Sequence, residues 1–162
     1  MTLMRTTIAF ALLIAFAGCG GESSPTDPDG PVAFTTVWHE QASGMRNAGA
    51  QVVARQEPWA QLWEQIVLGR APKPPLPAID FEKNILIVAT LGETGDSCTQ
   101  VRIDQVSRRS GILDVTISEI RRPPSCSCPP VVVNPVHVVA VPRAATGATY
   151  NWRTLVEGQP CN

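Results

Sequence analysis

The segment Asn84–Leu91, NILIVATL, constrains this chain more than any other. It is nearly all apolar and reads as a strand buried on both faces. Other strand signals surround it. TQVRIDQVS, 99–107, alternates Val101 and Ile103 with Arg102 and Asp104. GILDVTISEIR, 111–121, alternates Leu113, Val115 and Ile117 with Asp114, Thr116 and Ser118. SRRSG between them reads as a hairpin turn ending at Gly111. Strands are also predicted from Val32 onward, at 48–56, at 134–142 and at 149–157, with Gly44 and Asn47-Ala48-Gly49 turning the chain between the first two.

One segment changes period. In EPWAQLWEQIVLGR the residues Trp59, Leu62, Trp63, Ile66 and Val67 fall on one helical stripe. Pro58 suits the first turn, Glu57 the positive end of the helix dipole, and Gly69 the C-terminal cap. The spacing predicts a helix over about 58–68, packed through its tryptophans. APKPPLPAID, 71–80, carries four prolines. It cannot be helix or central strand and reads as an extended connector along the surface. The fold class expected is α+β: a mostly antiparallel sheet or sandwich of about seven strands with one packed amphipathic helix.

The chain opens MTLMRTTIAFALLIAFAGCG. One charge, Arg5, precedes the apolar run Ile8–Ala17, about half the ~20 residues a spanning helix needs. That describes an export signal over 1–18. Phe16-Ala17-Gly18-Cys19 resembles the lipobox of bacterial lipoproteins, with Phe16 where that pattern most often has Leu. The resemblance implies that Cys19 is lipidated and becomes the mature N-terminus. Gly20, rather than Asp, follows it, which by the same resemblance favours the outer membrane in a diderm source. After Cys19 the chain is rich in Gly, Ser, Pro and Asp up to residue 31 with no large apolar side chain, so 19–31 reads as a flexible tether. A single domain over 32–162 fits the usual domain size.

The net charge is −1, and losing Arg5 makes the mature chain one unit more negative. Nothing in that balance suggests nucleic acid. The chain has 5 cysteines. Reserving Cys19 for a lipid leaves Cys98, Cys126, Cys128 and Cys161, an even set that reads as two disulfides in an exported domain. Cys126 and Cys128 are too close to bond each other without strain. In an extended segment they point the same way. Their partners are therefore Cys98 and Cys161. Which pairs with which is not readable; the pairing leaned toward is Cys98–Cys126 with Cys128–Cys161.

From residue 57 to 143 the order of features resembles the C-terminal domain of PrcB-like proteins, a family named for a protease-complex subunit. The resemblance rests on PWAQLWEQI, then IDFEKNILIVATLGE with its Asp80-Phe81 pair, then TQVRIDQV, a hairpin, and NPVHVVAVPR from Pro135 to Arg143. The family often has tGGY before the Val101 strand, where this chain reads TGDSCTQV. It implies a lipoprotein that binds and stabilises a protease, with no catalytic residue to carry over.

A Cys–His hydrolase would set a thiolate beside His39 or His137. His137 instead reads as a half-exposed strand residue on the face opposite Val136 and Val138, and His39 as a solvated one. A metal site from Cys126, Cys128 and one histidine lacks the second ligand pair of structural zinc sites, though a copper(I) clip needs fewer ligands. The following Pro129-Pro130 disfavour a redox centre at a helix start. Arg108-Arg109 and Arg121-Arg122 read as solvated charge. The functional expectation is a non-catalytic, lipid-anchored envelope protein with no metal or cofactor, acting as an interaction or stabilising module for a protein partner, a protease by resemblance. The alternatives are a metal-binding protein, or an inhibitor presenting the loop 121–130.

Overall fold

The fold, taken from a computed structural model, is described for residues 29–143 and 149–161. The expected signal segment and Cys19 lie outside those residues. The elements run β1 (Gly30–Pro31), β2 (Thr35–Glu40), β3 (Ala48–Val53), α1 (Gln56–Ile66), β4 (Asn84–Leu91), β5 (Gln100–Arg109), β6 (Ile112–Arg121), β7 (Val136–Pro142) and β8 (Thr149–Gly158). They form two four-stranded sheets, ordered β1-β5-β6-β8 and β2-β7-β4-β3, with α1 on the outer face of the second. Among the described residues the chain thus adopts the mostly antiparallel sandwich with one helix.

Three layers explain why β4 is apolar throughout. Ile85, Ile87 and Ala89 pack inward with Val139 and Val141 of β7 against Val101, Ile103, Val106, Leu113, Val115 and Ile117 of the other sheet. Leu86 and Val88 face the other way and pack with Val136 and Val138 under Trp59, Leu62, Trp63, Ile66 and Val67. All five helix residues of the sequence stripe are buried. Trp63 stands edge-on to Trp38 with ring centroids 4.9 Å apart.

The helix starts two residues earlier than expected and ends at Ile66; Gly69 has φ 83° and closes the turn beyond it. Strand β3 correspondingly stops at Val53, because residues 56 onward belong to the helix. Gly44 donates its backbone N–H to the Ile66 carbonyl at 3.1 Å. A Cβ there would sit 2.2 Å from the Gln65 carbonyl oxygen, so only glycine allows this approach. The proline-rich connector does more than run along the surface. Trp59 Nε1 donates to the Pro77 carbonyl at 3.0 Å and Trp63 Nε1 to that of Pro74 at 3.3 Å. Both buried indoles thereby find the acceptor they need.

Three further differences from expectation have physical causes. The folded part begins before residue 32, within the expected tether: Gly30 and Pro31 pair with Arg108 and Ser107, and Asp29 accepts the Ser110 N–H at 2.8 Å. A two-residue edge strand tolerates proline, so composition alone hid it. The β5–β6 hairpin is tighter than SRRSG suggested. Arg109 pairs with Ile112, leaving Ser110 (φ 51°) and Gly111 (φ 79°) as a two-residue turn of the kind that follows strand twist. Finally, β8 runs parallel to β6, because the chain crosses to the other sheet as β7 before returning.

Candidate functional site

The segment 122–135 links β6 to β7 across the end of the sandwich and carries the sequence pair Cys126/Cys128. Both are oxidised: Cys98 bonds Cys128 with a Cα–Cα distance of 5.7 Å, and Cys126 bonds Cys161 at 5.4 Å. The two-disulfide reading holds, but the pairing leaned toward is the wrong one. The cause is local backbone. Cys126 N–H donates to the Pro123 carbonyl at 2.9 Å, so Cys126 lies in a turn rather than in an extended run. The Ser97 N–H donates to the Pro129 carbonyl at 3.1 Å, which sets Cys98 beside Cys128. Gln159 N–H donates to the Arg121 carbonyl at 2.9 Å, and this carries Cys161 to Cys126.

Backbone bonds between Thr94 and Val133, at 2.8 and 3.2 Å, close the loop's far end. Between these ties Pro123, Pro124, Pro129, Pro130, Val131 and Val132 are exposed, Val131 to 54% and Val132 to 64%. The loop is therefore held by two disulfides and three backbone ties, and it presents apolar groups to solvent.

Beside it, Asp96 is the local organiser. Its Oδ1 accepts the N–H groups of Cys98 and Thr99, both at 2.9 Å, and its carboxylate takes the Thr99 hydroxyl. Potential ligand atoms of Asp96, Cys98 and Cys128 lie within 4.8 Å of one another. With the two sulfurs bonded together neither is a thiolate, and thiolate is the form a metal takes. No histidine joins this group, so the Cys126/Cys128/His set is not assembled among the described residues.

The histidines have another role. Strand β5 has a bulge between Ile103 and Gln105. Ile103 N–H donates to His137 Nδ1 at 2.8 Å, and His39 Nε2 bonds the Val101 carbonyl at 2.8 Å. The two rings pack against each other at a tilt of 37°, their centroids 4.4 Å apart. Together they satisfy backbone groups of β5 and tie one sheet to the other. His137 is 3% exposed, not half-exposed: the face opposite Val136 and Val138 is the interior of the sandwich. His39 is exposed but hydrogen-bonded, rather than simply solvated.

The His137 tautomer follows from these bonds. Nδ1 accepts from a backbone N–H, so the ring proton sits on Nε2, which donates to Thr36 Oγ1 at 3.0 Å. A general base would need Nε2 free to accept that hydroxyl proton. Burial, then the neighbouring His39, push the His137 pKa down to about 4. Thr36–His137 is a structural pair, not a nucleophile and its base.

Arg143, just beyond β7, ties two other segments to the end of that strand. Its backbone N–H donates to the Lys83 carbonyl, Nε to the Phe81 carbonyl and a terminal nitrogen to the Ala54 carbonyl, each at 2.7 Å. No sequence signal marks that role. Of the paired arginines, Arg108 is buried at 9% exposure, while Arg121 pairs with Glu119. A depression of about 280 Å³ on the outer face of the first sheet is lined by Gln105, Ser107, Arg109, Asp114, Asn151 and Arg153 among others. Asn151 already bonds Asp114 there, at 3.0 Å.

Comparison with protein-family models, curated proteins and solved structures finds no match.

Proposed function

We propose that this protein is a non-catalytic, lipid-anchored module of the bacterial cell envelope that holds or stabilises a protein partner through the loop 122–132. The observation that carries the reading is the exposed apolar tip of that loop, fixed by two disulfides and three backbone ties. A loop already rigid when free loses little conformational entropy on binding, so its contacts go further toward affinity. Two disulfides also accord with export, since such bonds persist in oxidising compartments. The lipobox resemblance supplies the anchor at Cys19, and the PrcB-like resemblance points to a protease as partner class.

The test is mild crosslinking and pull-down from detergent-solubilised envelopes, run with the wild type and with Val131→Asp/Val132→Asp. A partner is expected with the wild type and is expected to be lost with the double variant. Recovery of the protein alone sinks the reading. A partner captured equally by both forms removes the loop from it. An inhibitor would use the same rigid loop, and an assay of the captured protease with and without the protein separates inhibition from stabilisation.

A further inference from the structure

We propose that a second copy of this chain pairs with the outer edge of β8, joining the two β1-β5-β6-β8 sheets into one continuous sheet about a two-fold axis. The surface is distinct from the 122–132 loop, so either reading can fail alone.

β8 ends its sheet, and among the described residues nothing pairs with its outer edge. It is as long as β5 and β6, whereas the edge strand at the far side of the same sheet has 2 residues. Long unprotected edges are unusual, because they offer a row of backbone donors and acceptors to any strand. This one is also apolar: Trp152 is 39% exposed, Leu155 40% and Val156 66%. It carries no lysine, no internal proline and no bulge, the usual defences of an edge.

The charges on β8 choose the occupant and the register. The strand has one cation, Arg153, and one anion, Glu157. Both lie on the outer face: Arg153 bonds Thr116 Oγ1 at 3.1 Å, and Glu157 accepts from Ser118 Oγ at 2.9 Å and from Arg102 at 3.3 Å. An antiparallel pair of identical strands centred on Leu155 sets Arg153 of each copy opposite Glu157 of the second copy. Leu155 then meets Leu155, and Thr154 meets Val156. Trp152 lies over the second copy's Gly158, above which the space is open. A shift of the centre by one residue places Leu155 against Arg153 or against Glu157. Centring on Arg153 opposes like charges, which is destabilising across strands. The charge pattern is therefore self-complementary at one register. The Cys126–Cys161 bond and the Gln159–Arg121 backbone bond hold the strand end in place for it.

The experiment measures the mass of the full-length protein in mild detergent by light scattering across a concentration series. A dimer is expected for the wild type. Arg153→Glu and Glu157→Arg should each weaken association on the order of tenfold, and the double reversal should restore it. Leu155→Cys should give a disulfide-linked dimer without reductant, and Thr149→Cys should not. A wild-type monomer throughout overturns the proposal and leaves the edge for a different strand. So does a dimer indifferent to single reversals, or a double reversal that stays monomeric. Because the double reversal must recover association, a single variant that merely misfolds cannot pass as support.

Discussion

At the scale of single residues, His137 shows how position changes chemistry. The same imidazole that reads as half-exposed in the sequence is sealed between sheets, where burial favours its neutral form. Groups facing it are His39 from β2 and Asp104 and Arg102 from β5; His39 and Arg102 lower its pKa further and Asp104 raises it. The unfolded chain takes up this proton below pH 6.5, the folded chain only below about 4. Between those values the unfolded state binds more protons, so the contribution is full above 6.5 and is lost as pH falls toward 4. The loss amounts to about 3 kcal/mol. Denaturation curves from pH 7 to 4 should show that slope, and His137→Gln should flatten it. A slope unchanged in the variant would assign the pH dependence to other groups.

At the scale of elements, α1 depends on tertiary cover more than on its own capping. Arg55 at the N-cap makes no side-chain cap bond, and the last turn has no basic residue. Its stability comes from the tryptophan face, locked by β4, β7 and the proline carbonyls. Trp63→Ala should cost about 3–5 kcal/mol in chemical denaturation, whereas Trp63→Phe, which keeps most of the ring packing, should cost far less. Equal losses would mean that the hydrogen bond to Pro74, rather than packing, sets the cost. The helix was legible because periodicity of 3.6 and two tryptophans leave little ambiguity. β1 was not, because two residues carry no period.

At the scale of the molecule, the two disulfides close spans of 30 and 35 residues around the same end of the sandwich. Each contributes about 4 kcal/mol in the chain-entropy model. Peptide mapping without reduction should find Cys98 linked to Cys128 and Cys126 to Cys161. The interchanged links, Cys98–Cys126 and Cys128–Cys161, would refute this loop geometry. Reduction should lower stability markedly and release the 122–132 loop together with the end of β8, since one bridge anchors both.

What the sequence determined by itself was local or additive. Continuous apolarity marked β4 as doubly buried, alternation marked β5 and β6, the Trp59–Val67 stripe marked the helix, and cysteine parity marked two bridges. Each depends on side-chain period or count, which composition carries directly. What only the tertiary structure decided depends on two distant segments meeting. A turn at Pro123–Cys126 exchanged the expected cystine partners, and a bulge in β5 gave the histidines their backbone bonds. The return crossing through β7 made β8 parallel to β6 and left its apolar edge open. No period in the chain encodes these outcomes, because they follow from which strands lie side by side once the core has closed.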